Sequence, residues 1–265
     1  MRGERATRLT VRVIALGYLA LLLLVPLVMM GYRTFEHGIG PFWESITTPA
    51  ALSAFWLTIE VAAIAVTMNA VLGTIAALTL VRFQGARRFR ALLEGLIDLP
   101  FAISPVVVGI ALILLYGDEG WINLPFQVIF SVPGIVLATS FVSLPFVVRE
   151  LLPLLREIGD DAEEAAATLG ATGWQAFWRV TLPAIRWGLV YGVVLSMARA
   201  IGEFGAVSII SGKVAGETQT LTLLVEQRFQ NFNLAGAYAA SVLLAVIALV
   251  TLLSMHFVTR RRTGQ

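Results

Sequence analysis

Apolar residues along this chain fall into runs too long for a soluble core, separated by shorter polar segments. The runs predict six helical spans, at about residues 13–30, 53–81, 91–116, 132–155, 187–211 and 234–258. Residues 31–52, with Pro41, Trp43 and Pro49, read as an interfacial loop. Residues 117–132 and the segment carrying Lys213, Glu217, Glu226 and Arg228 read as loops too. Pro100 and Pro105 each remove a backbone donor, predicting a kink or break in the third span, and Pro145 predicts a break in the fourth. The first run follows Arg2, Arg5, Arg8 and Arg12. Without a small-x-small cleavage site, and at roughly 18 residues, it predicts an uncleaved span rather than a signal peptide.

One interruption differs from the rest. Residues 160–187, DDAEEAAATLGATGWQAFWRVTLPAIRW, form a long amphipathic stretch. Asp160 or Asp161 can cap a helix with Glu163 or Glu164 three residues on, and Gly170 is placed to end it. Thr172 and Gln175 repeat the capping-box spacing. A second helical turn with Trp174, Phe177 and Trp178 should therefore precede the long helix that Pro183 opens. The small surface of Ala165, Ala166, Ala167, Gly170 and Ala171 suits a protein groove better than lipid, and the aromatic trio adds an apolar anchor.

Composition sharpens the class. Of 265 residues 58% are apolar and only 14% charged, with a mean hydropathy of +0.83, so the chain is expected to be a single all-α integral membrane domain. It has no cysteine, which excludes disulfides and thiolate metal sites. His37 and His256 lie far apart, outside any zinc or catalytic pattern. The only lysine, Lys213, lacks the glycine spacing and following Ser/Thr of a phosphate-binding loop, so the chain is not its own ATPase. No catalytic, cofactor-binding or metal-binding residues are predicted.

The placement of charge sets an orientation. Arg2, Arg5, Arg8, Arg12, Arg82, Arg87, Arg88, Arg90, Arg149, Arg156, Arg179, Arg186, Arg260, Arg261 and Arg262 fall on one side of the six-span arrangement. Arg33, Lys213 and Arg228 fall on the other. The positive-inside rule then predicts cytoplasmic termini and a cytoplasmic 160–186 loop. Within the spans, Arg199 and Glu203 stand at i and i+4, close enough to pair. Gly188, Gly192, Ser196, Ala200 and Glu203 follow four-residue spacing, making a small, polar face. Either Ser196, Arg199 and Glu203 line or gate a translocation route, or the face serves close helix packing and the pair satisfies itself. Glu94 and Asp98 are expected to pair with Arg87 or Arg90 at the membrane surface, and Glu60 to snorkel.

These residues carry a resemblance. Glu164-Ala165-Ala166, Gly170 four residues later, and Val180-x-Leu182-Pro183 are similar to the EAA signature of the membrane subunits of bacterial ABC importers. ARAIGEFGAVSIISG (198–212), LPFAISPVVVGIALILLYG (99–117) and FSVPGIVLATSFVSLPFVVRELLP (130–153) resemble the sulfate/thiosulfate permeases. The stretch from Thr220 to Ala240 is most similar to their W-type (CysW-type) subunit, while Gly216-Glu217-Thr218-Gln219-Thr220 also resembles molybdate permeases.

The resemblance implies a type I ABC importer permease fold in the bacterial inner membrane. It implies a second, CysT-type permease subunit as heterodimer partner, two ATPase subunits that bind ATP and magnesium, and a periplasmic sulfate/thiosulfate-binding protein. Glu163, Glu164, Ala165, Ala166, Gly170, Ala171, Leu182 and Pro183 would then couple the chain to an ATPase, with no covalent chemistry and no nucleic-acid partner. A molybdate or tungstate permease is the alternative within this class. A proton-coupled secondary transporter relaying through Glu60, Arg199 and Glu203 is the alternative outside it.

Overall fold

The computed structural model describes residues 2–82, 84–122 and 124–260, and the side-chain surroundings of 11–82, 89–122 and 124–254. Arg261 and Arg262 lie outside the described residues, and only the backbone is described for Arg2, Arg5, Arg8, Arg87, Arg88, His256 and Arg260. The described residues are helical or irregular, with no strand.

The chain opens with α1 (Arg2–Phe35), whose apolar part, Val11–Phe35, is long enough to cross a membrane. The expected interfacial loop 31–52 is instead largely helical. It holds the end of α1, the eight-residue α2 (Ile39–Ile46), and the first turn of α3, which begins at Pro49 rather than at residue 53 and runs to Arg82. Proline is favoured at a first helical position, and that sets the earlier start.

The third apolar run breaks just before Pro105, as expected, whereas Pro100 lies within a continuous helix. Helices α4 (Gln84–Ala102) and α5 (Pro105–Tyr116) meet at 109°. Pro145 does not break the fourth span. Helix α6 (Val132–Ile158) passes through both Pro145 and Pro153. Helices packed on either side stabilise a proline turn in an apolar setting. Helix α3 packs along this stretch, and its Asn69 Nδ2 donates to Ser140 O, five residues before Pro145.

After α7 (Asp161–Thr168) and α8 (Gly173–Ala176), a π-helical turn (Phe177–Thr181) leads into α9 (Leu182–Ile201). The fifth span therefore ends ten residues before the expected Ser211. Two glycines in four residues weaken the helix, and the Glu203 carboxylate takes the Ala206 N–H at 2.9 Å, which a continued helix would need. At Gly205 an added Cβ would stand 2.8 Å from Pro105 Cβ, so the turn packs directly on the start of α5.

The remainder, α10 (Val207–Ile210), folds back against α5 and α6. The segment read as a loop around Glu226 and Arg228 is mostly helix α11 (Leu221–Gln230), whose Leu221, Leu223 and Leu224 are buried. Helix α12 (Leu234–Arg260) follows. Five of these elements, or six counting the bent pair, are long and apolar enough to cross a membrane.

Helix α6 is the centre, packed between α3 and α9. Leu80, Val147, Val148, Leu151, Leu155 and Ile185 are buried where the three meet. Lipid is as apolar as leucine, so such contacts depend on close approach rather than on escape from water. Small residues provide it: a Cβ at Gly73 would stand 3.0 Å from Val147 Cγ1, and one at Gly192 3.0 Å from Val147 Cα. The expected small face of α9 is this seam.

A polar node bridges the same three helices. Asn69 Nδ2 donates to Ser140 O (3.1 Å) and Ser143 Oγ (2.9 Å), and lies 3.5 Å from Ser196 Oγ. At the far end Arg228 ties α11 to its neighbours. It donates to Ser45 O, Thr48 Oγ1 and Gly236 O, and its burial lowers its pKa below the usual arginine value.

Candidate functional site: a docking loop and a buried ion pair

The 160–187 stretch folds as helix, turn, helix. Helix α7 is only two turns long and buries none of its residues. Its end is a Schellman motif: Gly170 adopts φ +87°, its N–H bonds Ala167 O (2.9 Å), and the Ala171 N–H bonds Ala166 O (3.0 Å). Helix α8 opens with the expected capping box, Thr172 and Gln175 exchanging side-chain and backbone bonds at 2.9 and 3.3 Å. Trp174, Phe177 and Trp178 form one aromatic cluster with centroids 5.5–6.1 Å apart.

The start of α7 departs from expectation. Asp160 is the N-cap residue, yet no side-chain cap bond forms. Its carboxylate instead pairs with Arg82, at the end of α3. Glu163 also turns inward, accepting from Arg82 Nη2 (3.1 Å) and from the buried Thr181 hydroxyl (2.5 Å). Each bond joins groups far apart in the chain, and one guanidinium satisfies two carboxylates at once, which outweighs a local cap.

The outward surface is formed by Glu164, Ala165, Leu169, Trp174 and Trp178. Leu169, 88% exposed, was not singled out by its sequence context. Ala166, Leu169, Gly170, Ala171, Gln175 and Arg179 line a concavity of about 290 Å³ between the two short helices. Leu182 and Pro183 begin α9, with Pro183 in its first turn, so the stretch runs directly into that span.

Arg199 and Glu203 do meet, at 2.6 Å. The contact is one of charge, without hydrogen-bond geometry at Glu203 Oε2. Glu203 lies past the helix end, with its side chain 1% exposed, whereas Arg199 is 30% exposed. Ser196 is fully buried in the seam, its hydroxyl directed to Ser143 O (3.3 Å), so it opens onto no space within this chain. Glu60 is exposed on α3. Glu94 and Asp98 pair at the surface, Glu94 with Arg90 (3.1 Å) and also with Arg156, and Asp98 with Arg149 (2.7 Å). Two of these three links cross to α6, which sequence spacing could not reveal.

Residues 69–264 match the family described as binding-protein-dependent transport system inner membrane component. The chain belongs to that family. Among relatives of this inner membrane component, a sulfate transport system permease protein CysW from Synechocystis is 50% identical over 95% of this chain and 92% of its own length. The Escherichia coli K12 protein of the same name is 48% identical over 88% of this chain and 81% of its own. The Escherichia coli K12 sulfate transport system permease protein CysT is 38% identical over 93% and 90%.

In fold, the inner membrane component matches a chain of a bacterial alginate ABC transporter crystallised with an alginate pentasaccharide-bound periplasmic protein. The TM-score is 0.81, over 98% of this chain and 96% of that one, at 19% identity. The architecture is the all-α type I importer permease fold, and the chain is a multi-pass membrane protein.

Proposed function

We propose that this chain is the CysW-type membrane subunit of an ATP-driven sulfate or thiosulfate importer. The observation that carries the reading is near-half identity, along almost the whole chain, to proteins named as sulfate transport permeases. The exposed, apolar-tipped α7–α8 surface supports a docking role toward an ATPase subunit, for Glu164, Ala165, Ala166, Gly170 and Ala171 in particular. Leu182 and Pro183 carry that docking stretch into α9. The chain forms part of the membrane route and performs no covalent chemistry; ATP and magnesium belong to two ATPase partners.

A CysT-type chain is the second permease, and a periplasmic oxyanion-binding protein delivers the substrate. Both termini and the α7–α8 loop face the cytoplasm of a bacterial inner membrane, as the arginine distribution favours. Arg199 and Glu203 act at the route or its gate, since an ion pair is a costly way to achieve packing alone.

Reconstitution of the chain with these partners in proteoliposomes tests the reading. ATP-dependent uptake of labelled sulfate is expected, competed by thiosulfate and not by molybdate. Preferential competition by molybdate would move the substrate assignment, and uptake by this chain alone under a pH gradient would overturn the reading.

A further inference from the structure

Among the described residues, α7 is tied to the rest of the molecule at its N-terminal end. None of its residues is buried, and its packing is chiefly against α8 and the π turn beside it. Toward the spans it is held by two carboxylates, Asp160 and Glu163, both on Arg82. The Arg82 side chain is 17% exposed and is the last residue of α3. Glu163 is also bonded by Thr181, which is 5% exposed and abuts the start of α9. One carboxylate thereby joins the short helix to two spans that are distant from each other in sequence, and both of those spans pack against α6.

We infer that Arg82 is a positioning residue for energy coupling, delivering displacement of α7 to α3. The inference rests on the docking role proposed for α7 and adds the path by which its movement enters the bundle. Chain connectivity alone links α7 only to α6, through Gly159 at φ +68°, and to α9, through Gly170 and the π turn. Glycine joints in that region of backbone space transmit force poorly, because they bend at little steric cost. The path to α3 runs through no such joint. It is a charge-assisted, forked contact of fixed geometry. From Arg82 the helix runs unbroken to Asn69, where the polar node meets α6 and α9.

The test uses the assembled complex in proteoliposomes, measuring sulfate uptake and ATP hydrolysis together. Arg82→Gln is expected to leave assembly and basal hydrolysis intact while lowering uptake per ATP about tenfold; Arg82→Lys, which keeps the charge but not the fork, should recover part of the ratio. Because the chain has no cysteine, Arg82→Cys with Glu163→Cys offers a second arm. That double variant should be uncoupled until a short bifunctional thiol reagent bridges the two positions, and coupled afterwards.

An unchanged uptake-to-hydrolysis ratio in Arg82→Gln would overturn the inference. So would failure of the bridge to restore coupling, including in the case where Arg82→Gln does not assemble. Failure of the unmodified complex to show ATP-driven uptake would instead overturn the underlying functional reading.

Discussion

Gly170 offers the most discriminating substitution series in the docking loop. Its backbone sits at φ +87°, and a Cβ built there would meet no atom within 4 Å. Within the chain, therefore, the cost of a side chain is conformational and not steric. Left-handed backbone costs an L-residue about 1–2 kcal/mol, and asparagine less, because its short amide can bond locally. A cost of that size lowers the ratio of formed to frayed α7 ends by about 5- to 30-fold. The predicted order of function is Gly170, then Gly170→Asn, then Gly170→Ala, with Gly170→Val worst for its β-branching. The assay is ATP-driven uptake by the reconstituted complex, with affinity for the ATPase subunit measured in parallel. Alanine is smaller than asparagine, so the series separates two causes. If Gly170→Ala outperforms Gly170→Asn, space in a partner's groove governs the position and the backbone argument fails. Gly170→Asp, isosteric with Gly170→Asn, adds only charge; a further loss beyond that of asparagine is expected, from the negative C-terminal end of α7 and from placing a carboxylate in the docked interface.

The other predictions concern the bundle. Arg199→Gln should destabilise the complex more than Glu203→Gln, because it strands a carboxylate that is 1% exposed whereas the reverse leaves a 30% exposed guanidinium. The loss should stay below the roughly 3–5 kcal/mol of a fully buried pair, and the double variant should recover part of it; equal midpoints of thermal unfolding in detergent would count against this. Asn69→Leu should cost about 1–2 kcal/mol by the same measurement, near the upper end for interhelical bonds in membranes. Thr67→Val, which loses only an exposed bond to Ala63 O at 2.7 Å, should change little. Gly192→Ala should lower the midpoint more than Gly188→Ala, although the added Cβ would be farther from its neighbour. At Gly192 it meets Val147 Cα at 3.0 Å, whereas at Gly188 the close atom is the movable Leu154 Cδ1 at 2.1 Å and the nearest backbone atom, Glu150 O, stands at an ordinary 3.6 Å.

What could be read in advance and what could not divide along a physical line. The spans, the Thr172–Gln175 capping box and the Gly170 stop depend on residues within a few positions of one another, and periodicity and propensity report on those. Two departures, the early end of the fifth span and the uncapped start of α7, involve a group with a partner remote in the chain. Hydropathy carried the fifth span through to Ser211, since Phe204 to Ile210 is as apolar as any span. It ends at Ile201 because Gly205 lies against Pro105, a hundred residues away, and because Glu203 prefers the Ala206 N–H and the Arg199 charge to solvent it cannot reach. Asp160 has the right chemistry to cap α7 and does not, because Arg82 offers two carboxylates a shared, charge-assisted partner. The two ends of α7 are consequently held by different physics. At the C-terminal end, the glycine conformation fixes where the helix stops but leaves it free to pivot. At the N-terminal end, ionic contact fixes what the helix is attached to. A short helix pivoting on one end and tethered at the other acts as a lever. The tether, at Arg82, is the end through which it can pull on the spans.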